Sequence, residues 1–249
     1  MKILQIPISN GQVLLLPSEN ESMLSRVCED WFDPDYWLAK NSIAGQSRGR
    51  NTTWFIKAPE KLDKAFWVLR HYYRGGLVAK VSSDKYIYSG LENTRCYQEL
   101  EILQEMVRLK LPVPKPVAAR VIRSGLFYQA DLLMEKLSAN DLVMKLQVAA
   151  IGKDSWQRIG RTIATFHNQG IYHADLNAHN IMIDEAEKVW LIDFDRCEKR
   201  AIASSWQLNN IERLERSFNK EKGLHPSLHF EQSDWQSLKS GYMSAIRGN

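Results

Sequence analysis

The sequence predicts an α+β fold in two lobes: an antiparallel sheet lobe with one main helix over residues 1–137, and a reduced helical lobe over 138–249. Three observations predict it. Short runs of alternating, β-branched and aromatic residues recur up to residue 134, with a single helical pattern among them. Further along, the apolar spacing turns helical, with Trp156, Ile159, Ile163 and Phe166 on one face. Between the two patterns, Glu135–Asn140 reads as a connector.

Residues 1–20 alternate apolar and polar side chains around Val13-Leu14-Leu15-Leu16 and predict strands. Glu29 to Lys40 is rich in aromatics and predicts no regular element. Trp31, Phe32, Tyr36 and Trp37 in that stretch are expected to pack on the sheet lobe rather than to insert into a lipid interface. Gly45-Gln46-Ser47-Arg48-Gly49-Arg50 leads into a strand at Thr52–Ile56, and Trp67–Tyr72 predicts another, closed by Arg74-Gly75-Gly76. A helix follows from about Arg95 to Lys110. Pro112, Pro114 and Pro116 stop it, because proline disfavours helix at its own position and at the preceding one. Two strands come next, near Ala118–Arg123 and Phe127–Met134. In the second lobe a helix is expected from an N-cap at Asp154 to a stop at Gly170. Ile181–Ile183 and Val189–Ile192 are apolar segments flanking Asp184–Lys188, a hairpin turn, and Ser205–Phe218 predicts a basic helix.

Composition narrows the class. Of 249 residues, 44% are hydrophobic and 25% charged, which excludes a disordered or collagen-like chain. The formal charge of +4 allows an anionic partner, but Lys and Arg form no dense patch of the kind nucleic acid requires. Cys28, Cys96 and Cys197 are odd in number and far apart, so neither a disulfide framework nor structural zinc is expected, and a reducing compartment fits. There is no continuous apolar run of a secretory signal or a bilayer span, so a cytosolic chain that meets a membrane only at its surface is expected.

The chemistry concentrates in His173-Ala174-Asp175-Leu176-Asn177-Ala178-His179-Asn180 and in Asp193-Phe194-Asp195. Asn180 follows Asp175 by five positions, and Asp193 follows Asn180 by thirteen. A hairpin over the intervening residues returns Asp193 beside Asn180. That supplies oxygen ligands of the type Mg²⁺ takes and leaves Asp175 to accept a proton from a substrate hydroxyl. The spacing resembles the protein-kinase pattern H-x-D-x-x-x-x-N plus D-F-G, which implies a protein-kinase-like bilobal fold and phosphoryl transfer from ATP. The first rival is phosphoryl transfer to a different hydroxyl, of a heptose, an aminoglycoside or a protein; the second is a nucleotide-binding scaffold without turnover, and the third a metal hydrolase using His173, Asp175 and His179.

Other parts of such a site belong upstream. Gly45 and Gly49 suit a loop whose backbone N–H groups approach phosphate, although an ordinary turn fits equally well. The strand cation that holds the α/β-phosphates is read as Arg70, with Lys80 of Val78-Ala79-Lys80 the alternative. Glu99 lies on the apolar face of its helix with Ile102, Leu103 and Met106, and a carboxylate there needs a partner. It is therefore assigned to the cation, in preference to the solvated Glu101. Met134-Glu135-Lys136-Leu137 would form the adenine hinge through Glu135 and Leu137. Two departures from protein kinases stand out: Ala174 replaces the arginine of H-R-D, and Asp195 replaces the last glycine of D-F-G. Ala58-Pro59-Glu60 mimics A-P-E but precedes Asp193. The second lobe is short, which points to a constitutively active kinase of a small substrate.

Residues 172–181, 191–196, 67–76 and 111–116 together resemble the bacterial 3-deoxy-D-manno-octulosonic acid (Kdo) kinases, a family related to the heptose kinases of lipopolysaccharide core synthesis. The resemblance implies ATP-dependent phosphorylation of the 4-hydroxyl of Kdo on Kdo-lipid IVA, at the cytoplasmic face of the inner membrane. It carries the catalytic aspartate to Asp175 and the phosphate-binding strand to Arg70. The acceptor is anionic, and Arg48, Arg50, Arg74, Arg120, Arg123, Arg213, Arg216 and Lys220 are the cations available to meet it or an anionic leaflet.

Overall fold

A computed structural model describes residues 2–48, 52–59, 66–74 and 84–247. The chain divides into two units, Met1–Glu105 with Pro114–Leu137, and Met106–Val113 with Ser138–Asn249. In order along the chain the elements of the first unit are β1 (Ile3–Pro7), β2 (Gln12–Pro17), α1 (Pro34–Ala39), β3 (Ile43–Arg48), β4 (Thr52–Lys57), β5 (Phe66–His71) and β6 (Tyr86–Ile87). Then come α2 (Arg95–Arg108), β7 (Pro116–Ser124) and β8 (Phe127–Glu135). The strands form one antiparallel sheet in the order β1-β2-β7-β8-β5-β4-β3, with β6 on the end of β8.

Strand period places successive side chains on opposite faces. Along β5, Trp67 and Leu69 enter one apolar cluster with Trp31, Phe32, Trp37, Ile56 and Leu133. Arg70 and Tyr72 point to the other face, where α2 lies. The stretch 29–40 is more regular than its composition suggests. A 3₁₀ turn covers Glu29–Phe32, and α1 follows with Asp33 as N-cap, accepting from Asp35 N–H at 2.9 Å, and Pro34 in the first turn. Trp31, Phe32 and Trp37 are 4%, 2% and 2% exposed, so they are core and have no surface to offer a membrane. The Trp31 and Trp67 rings lie 5.1 Å apart, and Trp37 Nε1–H donates to the Trp31 carbonyl at 2.9 Å, which gives the buried indole its required acceptor.

The second unit contains β9 (Ala139–Asp141), α3 (Leu142–Val148), α4 (Lys153–Asn168), β10 (Ile171–Tyr172), β11 (Ile181–Asp184), β12 (Val189–Leu191), β13 (Glu198–Lys199), α5 (Ser204–Leu224) and α6 (Gln232–Ala245). The N-cap of α4 is Gly152 rather than Asp154, which falls inside the first turn, where its charge still favours the helix dipole. Helices α3 and α6 were not expected. The first is capped by Asp141, accepting from Met144 N–H at 3.1 Å, and the second by a Glu231–Asp234 capping box. The tail helix runs to Leu224, beyond the expected Phe218. All three cysteines are free thiols, and no helix among the described residues is long and apolar enough to cross a membrane.

Helix α4 carries the second core. Trp156, Ile159, Ile163 and Phe166 are buried on one stripe. Its contact with α6 is backbone-close: a Cβ at Gly160 would collide with the Leu238 carbonyl, and one at Gly241 with the Gln157 carbonyl. Gly160→Ala is therefore expected to destabilise the protein by about 1–3 kcal/mol, because packed helices must separate to admit one methyl. Gly223→Ala, at an open helical position, should be neutral or gain up to about 1 kcal/mol. Urea unfolding of both variants checks this, and equal midpoints would contradict the close packing.

Candidate active site

In the second unit, β10 delivers the chain into the loop that holds Asp175. His173 is 3% exposed and uses both ring nitrogens. Its Nδ1 accepts from Asp175 N–H at 3.2 Å, so Nε2 carries the proton and donates to the Ile192 carbonyl at 3.1 Å. Burial lowers the affinity of this imidazole for a second proton; the Ile192 bond and the charges of Asp193 and Asp175 oppose that without reversing it. The neutral ring thus ties the loop to the residue before Asp193.

Asparagines complete the loop. The Asn177 side-chain oxygen accepts from His179 N–H (2.9 Å) and Asn180 N–H (3.1 Å), capping a 3₁₀ turn at Ala178–Asn180. The side-chain amides of Asn177 (3.1 Å) and Asn180 (2.9 Å) both donate to the Asp175 carbonyl. Hairpin β11–β12, with Ile181 opposite Leu191, brings Ile192 N–H to the Asn180 carbonyl at 3.1 Å. Asp193 follows in the left-handed region, φ 63°, a conformation that Asp tolerates better than most side chains. Phe194 is buried between Phe166, stacked at 6.0 Å, and His173, at 4.9 Å. The hairpin turn is pinned by Glu187, whose carboxylate accepts from Lys145 (3.0 Å) and Ser155 (2.9 Å). Those bonds, that from Lys145 foremost, hold its pKa below the usual carboxylate range.

Helix α5 runs along this loop with four side chains at helical spacing. Asn210 pairs with His173, accepting from its N–H at 3.3 Å and donating to its carbonyl at 3.0 Å. Arg213 is ion-paired with Asp175. Ser217 Oγ accepts from Ala178 N–H at 3.1 Å, and Glu221 lies 3.5 Å from His179 Nε2. Nothing local in the sequence marks this alignment; only the recurrence of polar residues at 210, 213, 217 and 221 on one helix face signals it.

The donor set fits one kind of metal. Asn180 commits its Nδ2 to the Asp175 carbonyl, and no donor among the described residues reaches its Oδ1, which leaves that oxygen able to meet a cation. No cluster of three or more His, Cys, Asp or Glu placed to hold an ion exists among the described residues. One amide oxygen and one carboxylate suit a hard ion that keeps water and phosphate oxygens, as Mg²⁺ does. The metal-hydrolase reading fails here, because His173 spends both nitrogens inside the fold.

In the first unit, Glu99 is 2% exposed and accepts from Arg70 and from Tyr72 Oη at 2.6 Å. Burial, and next the Glu99 charge, push the Tyr72 hydroxyl well above the phenol range, so it stays a donor. The Arg70 guanidinium lies 4.9 Å from the Tyr72 ring and Arg95 5.4 Å from it. Gly45 sits within strand β3, at a register irregularity opposite Phe55, rather than in a loop, because pairing with β4 extends to Arg48. Gly49, Arg50 and Lys80 lie outside the described residues. Glu135 N–H is taken by the Lys115 carbonyl at 2.8 Å, whereas the backbone of Leu137 has no partner among the described residues. Arg120 is no surface cation: it donates to Asp131 at 2.8 Å and to the Phe32 carbonyl at 3.1 Å.

The antiparallel sheet with α2 in one unit, and the Asp175 loop set among helices in the other, are the parts expected of a phosphotransferase of the protein-kinase-like class. Residues 34–242 match the model of the lipopolysaccharide kinase (Kdo/WaaP) family, and the chain belongs to that family. Curated relatives named 3-deoxy-D-manno-octulosonic acid kinase include one from Vibrio parahaemolyticus, 44% identical over 88% of this chain and 90% of its own. Another, from Photobacterium profundum, is 46% identical over 85% and 87%, and a third, from Haemophilus influenzae, is 42% identical over 86% and 90%. A solved structure of WbdD with the kinase inhibitor LY294002 aligns over 82% of this chain and 45% of that one, with 14% identity and a TM-score of 0.46.

Arg70→Met removes one charged partner of the buried Glu99 and should cost about 1–3 kcal/mol. Adding Glu99→Gln should recover most of that loss, since Tyr72 can still donate to the amide oxygen. Thermal and urea unfolding of the single and double variants test the pair; a fully stable single variant would contradict it.

Proposed function

We propose that this chain transfers the γ-phosphoryl group of ATP to the 4-hydroxyl of the Kdo residue of Kdo-lipid IVA. The observation that carries the reading is the Asp175 loop itself, with Asp175, Asn180 and the residue before Asp193 hydrogen-bonded into one assembly. Support comes from the Kdo kinases, which match this chain along nearly their whole length.

Phosphoryl transfer is chiefly positioning and charge stabilisation, so the roles follow from geometry. Asp175 orients the acceptor hydroxyl and takes its proton; its backbone, fixed by Asn177 and Asn180, keeps the carboxylate in place. Asn180 and Asp193 are the residues to hold Mg²⁺, which when bound neutralises charge on the β- and γ-phosphates. Arg70, oriented by Glu99 and Tyr72, grips the nucleotide phosphates with paired donors. The carbonyl of Glu135 and the backbone of Leu137, which has no partner among the described residues, suit adenine. We place the enzyme at the cytoplasmic side of the inner membrane, held peripherally by exposed cations that each contribute about 1 kcal/mol near an anionic leaflet.

The test is phosphate transfer to purified Kdo-lipid IVA, beside heptose-bearing acceptors, with the product mapped by NMR. Transfer to the Kdo 4-hydroxyl is expected. Asp175→Ala should lose roughly a hundredfold to ten-thousandfold in rate. Near-normal turnover of that variant would remove Asp175 from the base role, and transfer only to another sugar would overturn the acceptor.

A further inference from the structure

Four side chains of α5 meet the Asp175 loop, and one differs from the rest. Asn210 and Ser217 bond loop backbone, and Glu221, 8% exposed, faces His179. Arg213 alone reaches the carboxylate of Asp175. Both members of that ion pair are half exposed, with side-chain exposures of 47% and 50%. Exposed pairs of this kind add little to stability, and the loop is already held by Asn177, Asn180, His173 and Asn210. The pair is therefore not needed to hold the loop in place.

What it offers is a guanidinium, whose planar fork matches carboxylate with two parallel N–H donors. Its neighbour Arg216 is drawn toward Glu212 at 3.9 Å. Arg213 is thus the cation that, among the described residues, contacts the candidate base. The acceptor proposed above is a sugar acid, with a carboxylate and the reacting hydroxyl on one ring. Arg213 touches the candidate base and is open to solvent, so its guanidinium is within reach of a ligand that approaches Asp175.

We propose that Arg213 is the specificity-determining residue for the acceptor: its guanidinium passes from Asp175 to the carboxylate of the sugar acid, and Asp175 is thereby released toward the hydroxyl. Neutral sugars, which offer no carboxylate, would leave the Arg213–Asp175 pair closed. The inference rests on the Kdo-kinase reading.

The experiment is steady-state kinetics of wild type, Arg213→Lys and Arg213→Gln on Kdo-lipid IVA and on its derivative with the Kdo carboxylate converted to a carboxamide. Arg213→Gln is expected to raise KM for the natural acceptor by roughly 10- to 100-fold, with KM for ATP unchanged. Arg213→Lys should recover part of the loss, since it keeps charge without the fork. On the carboxamide, wild type should be as poor as Arg213→Gln, so the two losses do not add. Equal falls in kcat on both acceptors would overturn the proposal and assign the cation to the phosphoryl group or the base. No change on either acceptor would also overturn it. If wild type phosphorylates neither acceptor, the Kdo reading itself falls and takes the inference with it.

Discussion

The second unit depends on a neutral imidazole. His173 stands between the Asp175 N–H and the Ile192 carbonyl, and both bonds need the Nε2–H tautomer. A second proton would place an N–H on Nδ1 against the Asp175 N–H and add charge to a buried ring. The fold avoids this by burying His173 between Phe194 and α5. The loop geometry then follows: Asp175 is held through its backbone while its carboxylate meets Arg213, and the β11–β12 hairpin returns the chain at Ile192, just before Asp193, to Asn180.

The first unit follows the same logic with the opposite sign. A carboxylate, Glu99, is buried rather than a neutral ring, and it is compensated by a guanidinium and a phenol. A buried acid favours the rotamer of the cation that reaches it, because that contact offsets the cost of burying the charge. In both units a buried polar group fixes the position of a more exposed neighbour, Arg70 in one and the Asp175 loop in the other. Helix α5 extends this principle, since Asn210, Ser217 and Glu221 hold the loop and Arg213 meets its acid.

Much of this was legible in residue pattern. The strand alternation at 67–72, the apolar face of α2 around Glu99, and the hairpin between two apolar triplets all follow from local period. The short helix α1 was missed, because dense aromatics hid the Asp33-Pro34 start signal. Helix α6 was harder, because its close approach to α4 rests on Gly160 and Gly241, which carry no apolar signal. The role of α5 was out of reach. Its bonds to the loop span more than thirty positions, and a polar helix face looks the same whether it meets water or another segment. The N-cap of α4 lies two residues before Asp154 because Gly152 caps through its carbonyl alone, which accepts from Ser155 and Trp156 N–H, and a glycine offers no side-chain signal.

The most direct measurement is the ¹⁵N spectrum of the His173 ring, followed from about pH 8 down to about pH 6, where free imidazole gains its proton. The account predicts a neutral Nε2–H tautomer that persists through this range. A ring that charges with the ordinary imidazole midpoint, or one carrying its proton on Nδ1, would contradict it.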